Sequence, residues 1–181
     1  QLGTLRRSRT VSALLDRVAD AEALVQTLLG SVHDIAVELR PTVLDRLGLG
    51  PALSEEAKRF QARTAIATTV CLPDPELSLA PDLATTLFRI FQECLTNVAR
   101  HAGATQVEAT LTAEDGGVTL RVQDNGRGMT DAERDHPAAL GLLGMQERAA
   151  LVGGEVRFTR GPRHGTIVTV RLPQRGRSSS T

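Results

Sequence analysis

Residues 91–101 form the run most able to do chemistry. Read as a helix, this run sets Glu93, Asn97, Arg100 and His101 at i, i+4, i+7 and i+8, on one face. Leu87, Ile90, Phe91, Leu95 and Val98 then hold the opposite side. A carboxylate, an amide oxygen, a guanidinium and an imidazole side by side can hold a hydrated Mg²⁺ and phosphate oxygens, since magnesium keeps several waters and needs few protein ligands. The plain alternative is a polar outer helix face with an exposed Asn.

Asp124, Asn125, Gly126, Arg127, Gly128 and Met129 close an apolar strand. Asp, Asn and Gly favour a tight turn. No strand resumes after it, however, and residues 130–139 are polar and irregular. A carboxylate at a strand end can accept a hydrogen bond from the exocyclic amine of adenine, and Gly126 and Gly128 would let the backbone approach a ring; both readings stay open. Gly141, Leu142, Leu143, Gly144 and Met145 lead into a helix. Glycines before a helix expose N–H groups and the positive dipole end to an anion, though a flexible helix entry has the same look. The chain carries no Walker A loop, no GxGxxG opening a helix after a strand, and no HExxH.

The elements that must position these residues follow from periodicity. Val11, Leu14, Val18, Ala21, Val25, Leu28, Val32, Ile35 and Leu39 alternate three and four apart, a heptad seam over four repeats. A helix of about 30 residues would be roughly 45 Å long, so its stripe calls for partner helices in a bundle made by dimerisation. Pro41 ends it, and residues 39–49 read as a partly apolar connector. Beyond it we expect a helix near 51–63, a strand near 65–72, a helix over 81–101, and strands near 105–112 and 117–124 joined at Asp115, Gly116 and Gly117. A helix near 142–152 and strands near 155–160 and 165–172 complete the pattern. Antiparallel strands with three helices on one face make an α+β, two-layer sandwich rather than a doubly wound fold.

Composition narrows the classes. The 181 residues hold 21 basic and 21 acidic side chains, net charge zero, and no Trp or Tyr. That argues against direct nucleic-acid binding, which needs cationic surface and stacking platforms. Lys58 is the only lysine, an imbalance read as codon bias. Two cysteines, Cys71 and Cys94, give neither a metal cluster nor a disulfide framework, which suits a reducing cytoplasm. No apolar run approaches the roughly 18 residues of a membrane span, so no membrane contact is expected. The chain opens on Gln1, so it is expected to be a piece of something longer.

With Gly165 and Thr166 at the start of the last strand, the set resembles the nucleotide-binding domain of the histidine-kinase, gyrase, Hsp90 and MutL ATPase superfamily, the Bergerat-type ATP-binding fold. Residues 93–101 look like its N box, 124–129 its G1 box and 141–145 its G2 box. The connector carrying Leu39, Arg40, Pro41, Leu44, Asp45, Leu47, Gly48, Leu49, Ala52 and Leu53 is similar to that of nitrate-sensor-type sensor histidine kinases of two-component systems. So are the run 97–102 and the short gap between the G1 and G2 boxes. The resemblance spans about residues 15–173. It implies a partial dimerisation and phosphotransfer bundle (its second helix) over 1–40, a linker over 41–50, a catalytic ATP-binding domain over 51–173, and a disordered tail over 174–181.

It also implies roles. Asn97 would coordinate Mg²⁺, and Arg100 and His101 would face the triphosphate of ATP. Asp124 would read adenine N6, with Thr166 supporting it through a hydroxyl or water. Gly126 and Gly128 would shape the pocket, with Met129 against the base. Gly141 and Gly144, with Leu142 and Met145 between and after them, would hold the lid around the β- and γ-phosphates. Glu93 matches the N-box acid that activates water in relatives that hydrolyse ATP; in a kinase the acceptor is a histidine.

The reaction would be transfer of the γ-phosphoryl to a bundle histidine for relay to a response regulator, of helix-turn-helix type in this subfamily, by a homodimeric full-length protein. In the family the acceptor sits on the first bundle helix. His33 lies on the helix that runs into Pro41, so we do not read it as the acceptor; His136 and His164 fall in the lid and a turn. The chain is therefore expected to bind ATP but to lack its own acceptor and not to autophosphorylate. The alternatives are an anti-sigma-factor-type serine kinase, against which the heptad helix counts, and a non-catalytic nucleotide-sensing dimerisation scaffold. The setting would be cytoplasmic, including the cytoplasmic part of a membrane-bound sensor.

Overall fold

The computed structural model describes residues 42–74, 77–114, 116–130, 140–162 and 164–173. The bundle helix expected over 11–39, His33, His136 and the tail after 173 lie outside the described residues. The element order is α1 Thr42–Leu47, α2 Leu49–Thr64, β1 Ala67–Cys71, α3 Pro81–Asn97, a π-helical turn Val98–Ala102, β2 Gln106–Glu114, β3 Gly117–Asp124, α4 Leu140–Leu151, β4 Glu155–Arg160 and β5 Thr166–Pro173. All belong to one unit, Pro41–Thr181.

Local chemistry explains the boundaries. Gly48, at φ 80°, breaks the chain between α1 and α2, and Ala65 in the left-handed region ends α2 with its N–H on Gln61 O at 2.9 Å. Pro81 opens α3 where its missing N–H is harmless, and Asp82 favours the positive end of the dipole. Leu83, Ala84, Leu87, Phe88, Ile90, Phe91, Cys94 and Leu95 are buried along α3, too wide a stripe for a surface helix. Accordingly α3 packs on β3 and β5 and against both α2 and α4. Burial of each large side chain, such as Leu87, Ile90 and Phe91, contributes about 1.5–3 kcal/mol.

The five strands run in the order β1-β2-β3-β5-β4. Along β3, Val118, Leu120, Val122 and Asp124 are buried while Gly117, Thr119, Arg121 and Gln123 are half-exposed, the period of two of a sheet covered on one side. Register carries the apolar row across, pairing Ala109 with Val122 and Val122 with Val168. The other face holds Thr110, Arg121, Thr169 and Arg157 in one row, so the helices occupy one layer.

Three expectations change. β1 pairs parallel, not antiparallel, with β2, because the intervening chain crosses over through α3. The connector is not a linker throughout: residues 42–47 are helical, α2 begins at Leu49, and Leu44 and Leu49 are buried in the core. The helix expected over 81–101 is α-helical only to Asn97 and then widens. Among the described residues, no helix is long and apolar enough to cross a membrane.

Candidate active site

Between α3, α4 and the C-terminal half of β3 lies a cavity of about 570 Å³. Its floor is the sheet. Val122 and Asp124 point up from β3, and Thr166 and Val168 from the start of β5, each pair two residues apart and therefore on one face. Its wall is α3 and the π turn, which present Glu93, Cys94, Asn97, Val98, Arg100, His101 and Ala102. Arg127, Gly128 and Met129 close one side, and Gly141, Leu142 and Met145 of α4 cover the rest.

Asp124 is the only charged or polar side chain counted as buried among the described residues, at 5% exposure. An unpartnered carboxylate there would be costly. Its oxygens accept from two backbone donors, Gly126 N–H to Oδ1 at 2.8 Å and Thr166 N–H to Oδ2 at 3.1 Å. A carboxylate offers about four lone-pair positions, so acceptor capacity remains on the cavity side. Thr166 thus supports Asp124 through its backbone N–H. Gly165 makes that approach feasible: at φ +83° it leaves the left-handed region open, and a Cβ there would run into the backbone oxygen of Asp124.

The loop 124–129 is tied to the segment that follows α3. Gly126 lies so close under Ala102 that a Cβ would overlap its carbonyl oxygen. Arg127 donates its N–H to Ala102 O at 2.9 Å and its Nε–H to His101 O at 2.8 Å. These bonds satisfy carbonyls that a helix end leaves without partners. The turn itself follows Asn97, and π turns widen a helix most often where function requires it.

At the opposite rim, Gly141 lies directly over Glu93. A Cβ at Gly141 would meet Glu93 Oε1, and Asn97 Nδ2 would sit 3.8 Å from it. The segment 141–145 is therefore helical, within the first turns of α4, rather than a loop ahead of the helix. Only amides of the first turn lack intrahelical partners, which restricts anion binding to the beginning of that segment.

Of the sequence-derived candidates, Glu93, Asn97, Arg100, His101, Asp124, Gly128, Met129, Gly141, Leu142, Met145 and Thr166 line this one cavity. Gly126 and Gly144 do not: Gly126 is buried beneath Ala102, and Gly144 faces the Arg148 guanidinium. Sequence reasoning missed Val122 and Val168, which strand alternation from Asp124 and Thr166 would have found. It also missed Cys94, Ala102 and Arg127 as cavity walls, and it set Val98 on the side opposite Asn97, whereas Val98 lines the cavity too. Cys94 Sγ lies 3.9 Å from Met145 Sδ. Burial, then the charges of Glu93 and Asp124, pushes the Cys94 thiol well above its ordinary range, so it is a neutral, apolar wall.

The cavity has an apolar floor bearing one held carboxylate and a rim of carboxylate, amide and cations, within a two-layer sandwich. Such a site suits a ligand with a planar polar head and an anionic tail. Residues 82–176 match the family model described as "Histidine kinase-, DNA gyrase B-, and HSP90-like ATPase", and the chain belongs to that family. The oxygen sensor histidine kinase NreB of Staphylococcus carnosus (strain TM300) is 31% identical over 173 residues, 96% of this chain and 50% of that protein. The signal transduction histidine-protein kinase/phosphatase DegS of Brevibacillus brevis is 29% identical over 163 residues, 90% of this chain and 42% of that protein. The chain thus spans about half the length of the curated relatives it matches.

Among solved structures, the histidine kinase domain of the Erythrobacter litoralis EL346 blue-light activated histidine kinase superposes with a TM-score of 0.60 at 26% identity, over 70% of this chain and 61% of that one. The ATP binding domain of PrrB from Mycobacterium tuberculosis has the same fold, with a TM-score of 0.53 at 24% identity over 69% of this chain and 90% of that one.

Proposed function

We propose that the cavity binds ATP, with the purine amine on Asp124 and the triphosphate toward Arg100 and His101, and that the whole protein is a sensor histidine kinase. The observation that carries this reading is Asp124: a buried carboxylate, held by two backbone N–H groups, keeping acceptor capacity toward an apolar-walled cavity. Purine selection follows, since the exocyclic amine of adenine donates where the carbonyl of guanine would be repelled. Met129 and Leu142 would flank the ring, and Arg100 would neutralise phosphate charge with His101 beside it.

Among the described residues no group of three or more His, Cys, Asp or Glu could hold a metal by itself. A magnesium ion would therefore be held by Asn97, with Glu93 nearby, and completed by phosphate oxygens and water. Bound there, it would offset charge on the transferring phosphoryl. Transfer then needs mainly positioning: the γ-phosphoryl passes to an imidazole nitrogen and ADP leaves. Glu93, beside Asn97, would orient the incoming group.

The same reading makes residues 1–40 the second helix of a dimeric bundle, with the catalytic unit beginning near Thr42. It makes a response regulator of helix-turn-helix type the relay partner and the cytoplasm the setting. A serine kinase of the anti-sigma-factor type has less support, since NreB and DegS are both histidine kinases by name. The test is labelling. The full-length protein given ATP labelled in the γ-phosphoryl takes up acid-labile, base-stable phosphate, and Asn97→Ala abolishes it. Acid-stable label would indicate a serine kinase; no label would favour a nucleotide-sensing scaffold.

A further inference from the structure

We infer that Asn125, a side chain outside the cavity, is a positioning residue that locks the loop reading the base to the turn presenting Arg100 and His101 to the phosphates. The proposal rests on the reading of the cavity as an ATP site. Asn125 is exposed and lines no part of the cavity. Its Oδ1 nevertheless accepts from Thr105 N–H at 2.9 Å and Gln106 N–H at 3.0 Å, while its Nδ2 donates to Thr105 Oγ1 at 2.9 Å. Its own N–H donates to Gln106 O at 3.2 Å. Two residues on, Arg127 grips Ala102 O and His101 O.

The loop that holds Asp124 therefore clasps both ends of the stretch 101–106. That stretch begins in the last two residues of the π turn Val98–Ala102, whose Arg100 and His101 line the cavity. A π turn interrupts the regular hydrogen-bond ladder of the helix. Here its exit is fixed from outside, by side-chain and backbone bonds from the base-reading loop. The distance between base site and phosphate site is set by this clasp rather than by the helix alone. Arg127 is a poor probe of the idea because it also lines the cavity; Asn125 is uncharged and lies outside it.

The consequence is separable from folding. Without the clasp the base site survives, since Asp124 keeps its two N–H donors, but Arg100 and His101 lose their register with the phosphates. Affinity for ATP should fall while affinity for adenosine holds. The experiment is competition of adenosine and of ATP with Mg²⁺ against a fluorescent nucleotide, on the full chain and its variants, with unfolding scans alongside. For Asn125→Ala the ratio of adenosine to ATP dissociation constants should shrink about tenfold, the size of about one weakened hydrogen bond to a charged phosphate. Asn125→Asp keeps the acceptor for both backbone N–H groups and should restore most of the ratio.

Thr105→Val removes one of the three side-chain bonds and should give an intermediate ratio, which decides the matter if Asn125→Ala does not fold. An unchanged ratio in Asn125→Ala, or in Thr105→Val where the former is unfolded, overturns the clasp. Equal losses of adenosine and ATP affinity overturn it too, because they mark a merely structural loop. If the wild-type chain binds no ATP, the reading of the cavity fails first and the clasp with it.

Discussion

Two glycines with nearly the same backbone angle differ in surroundings, which isolates the architecture around Asp124. Gly116, at φ +74°, has nothing within 4 Å of a would-be Cβ, whereas at Gly165, φ +83°, a Cβ would strike the Asp124 backbone oxygen. Gly116→Ala should cost only the left-handed penalty, about 1–2 kcal/mol. Gly165→Ala pays the same penalty and must also push β5 away from β3, because the atom in the way is backbone and cannot rotate aside. That movement breaks the Thr166 N–H bond to Asp124 Oδ2 at 3.1 Å, a bond to an ionised acceptor worth about 1.5–3 kcal/mol.

The second variant should therefore lose about 2.5–5 kcal/mol in total. At roughly 3–4 °C per kcal/mol for a unit of this size, Gly116→Ala lowers Tm by about 3–8 °C and Gly165→Ala by about 8–20 °C. Differential scanning calorimetry reads both, and nucleotide titration should show affinity lost only in Gly165→Ala. Equal Tm losses, or a Gly165→Ala protein that binds nucleotide normally, would refute the argued contact between β5 and Asp124.

Thiol chemistry should split the cysteines. Cys71 is exposed and Cys94 buried, so native protein should react quickly at one thiol and unfolded protein at two, as a chromogenic disulfide would count. Because the Cys94 pKa is raised on folding, its stabilisation is complete below the unfolded value of about 8.5 and falls by about 1.4 kcal/mol per pH unit above it. Urea titrations at rising alkaline pH, compared with Cys94→Ala, should show that slope flatten in the variant. The boundary near Thr42 is testable by Leu44→Ala: with Leu44 at 5% exposure, truncation should cost about 2–4 kcal/mol. A loss under half a kcal/mol in a urea melt would return residues 42–47 to a linker.

Much of this architecture is legible in residue spacing, for identifiable reasons. β3 alternates strictly, so its inward row ending at Asp124 follows from period alone, and α3 announces itself through Pro81 and an unbroken apolar stripe. The direction of β1 was not legible, because a short, half-exposed strand carries no mark of its partner's polarity; that depends on where the crossover runs. The π turn was hidden too. Residues 98–102 have ordinary helical composition, and the carbonyls of His101 and Ala102 find their partner in Arg127, more than twenty residues away. The helical state of 42–47 was masked by Gly48, which reads as a break but merely separates two helices whose Leu44 and Leu49 share one core. Thr166 was found as a residue but not as a backbone donor, since sequence names side chains and says little about where a main-chain N–H points.

The central claim, that Asp124 holds the purine of ATP in the cavity under α3, is tested most directly by calorimetric titration of ATP with Mg²⁺ into the wild-type chain and into Asp124→Asn. The account predicts one site of roughly micromolar affinity in the wild type. In the variant, affinity weakens about ten- to hundredfold, the loss expected for one hydrogen bond to a charged acceptor. A folded wild-type chain that binds no ATP, or an Asp124→Asn chain that binds it equally well, would contradict it.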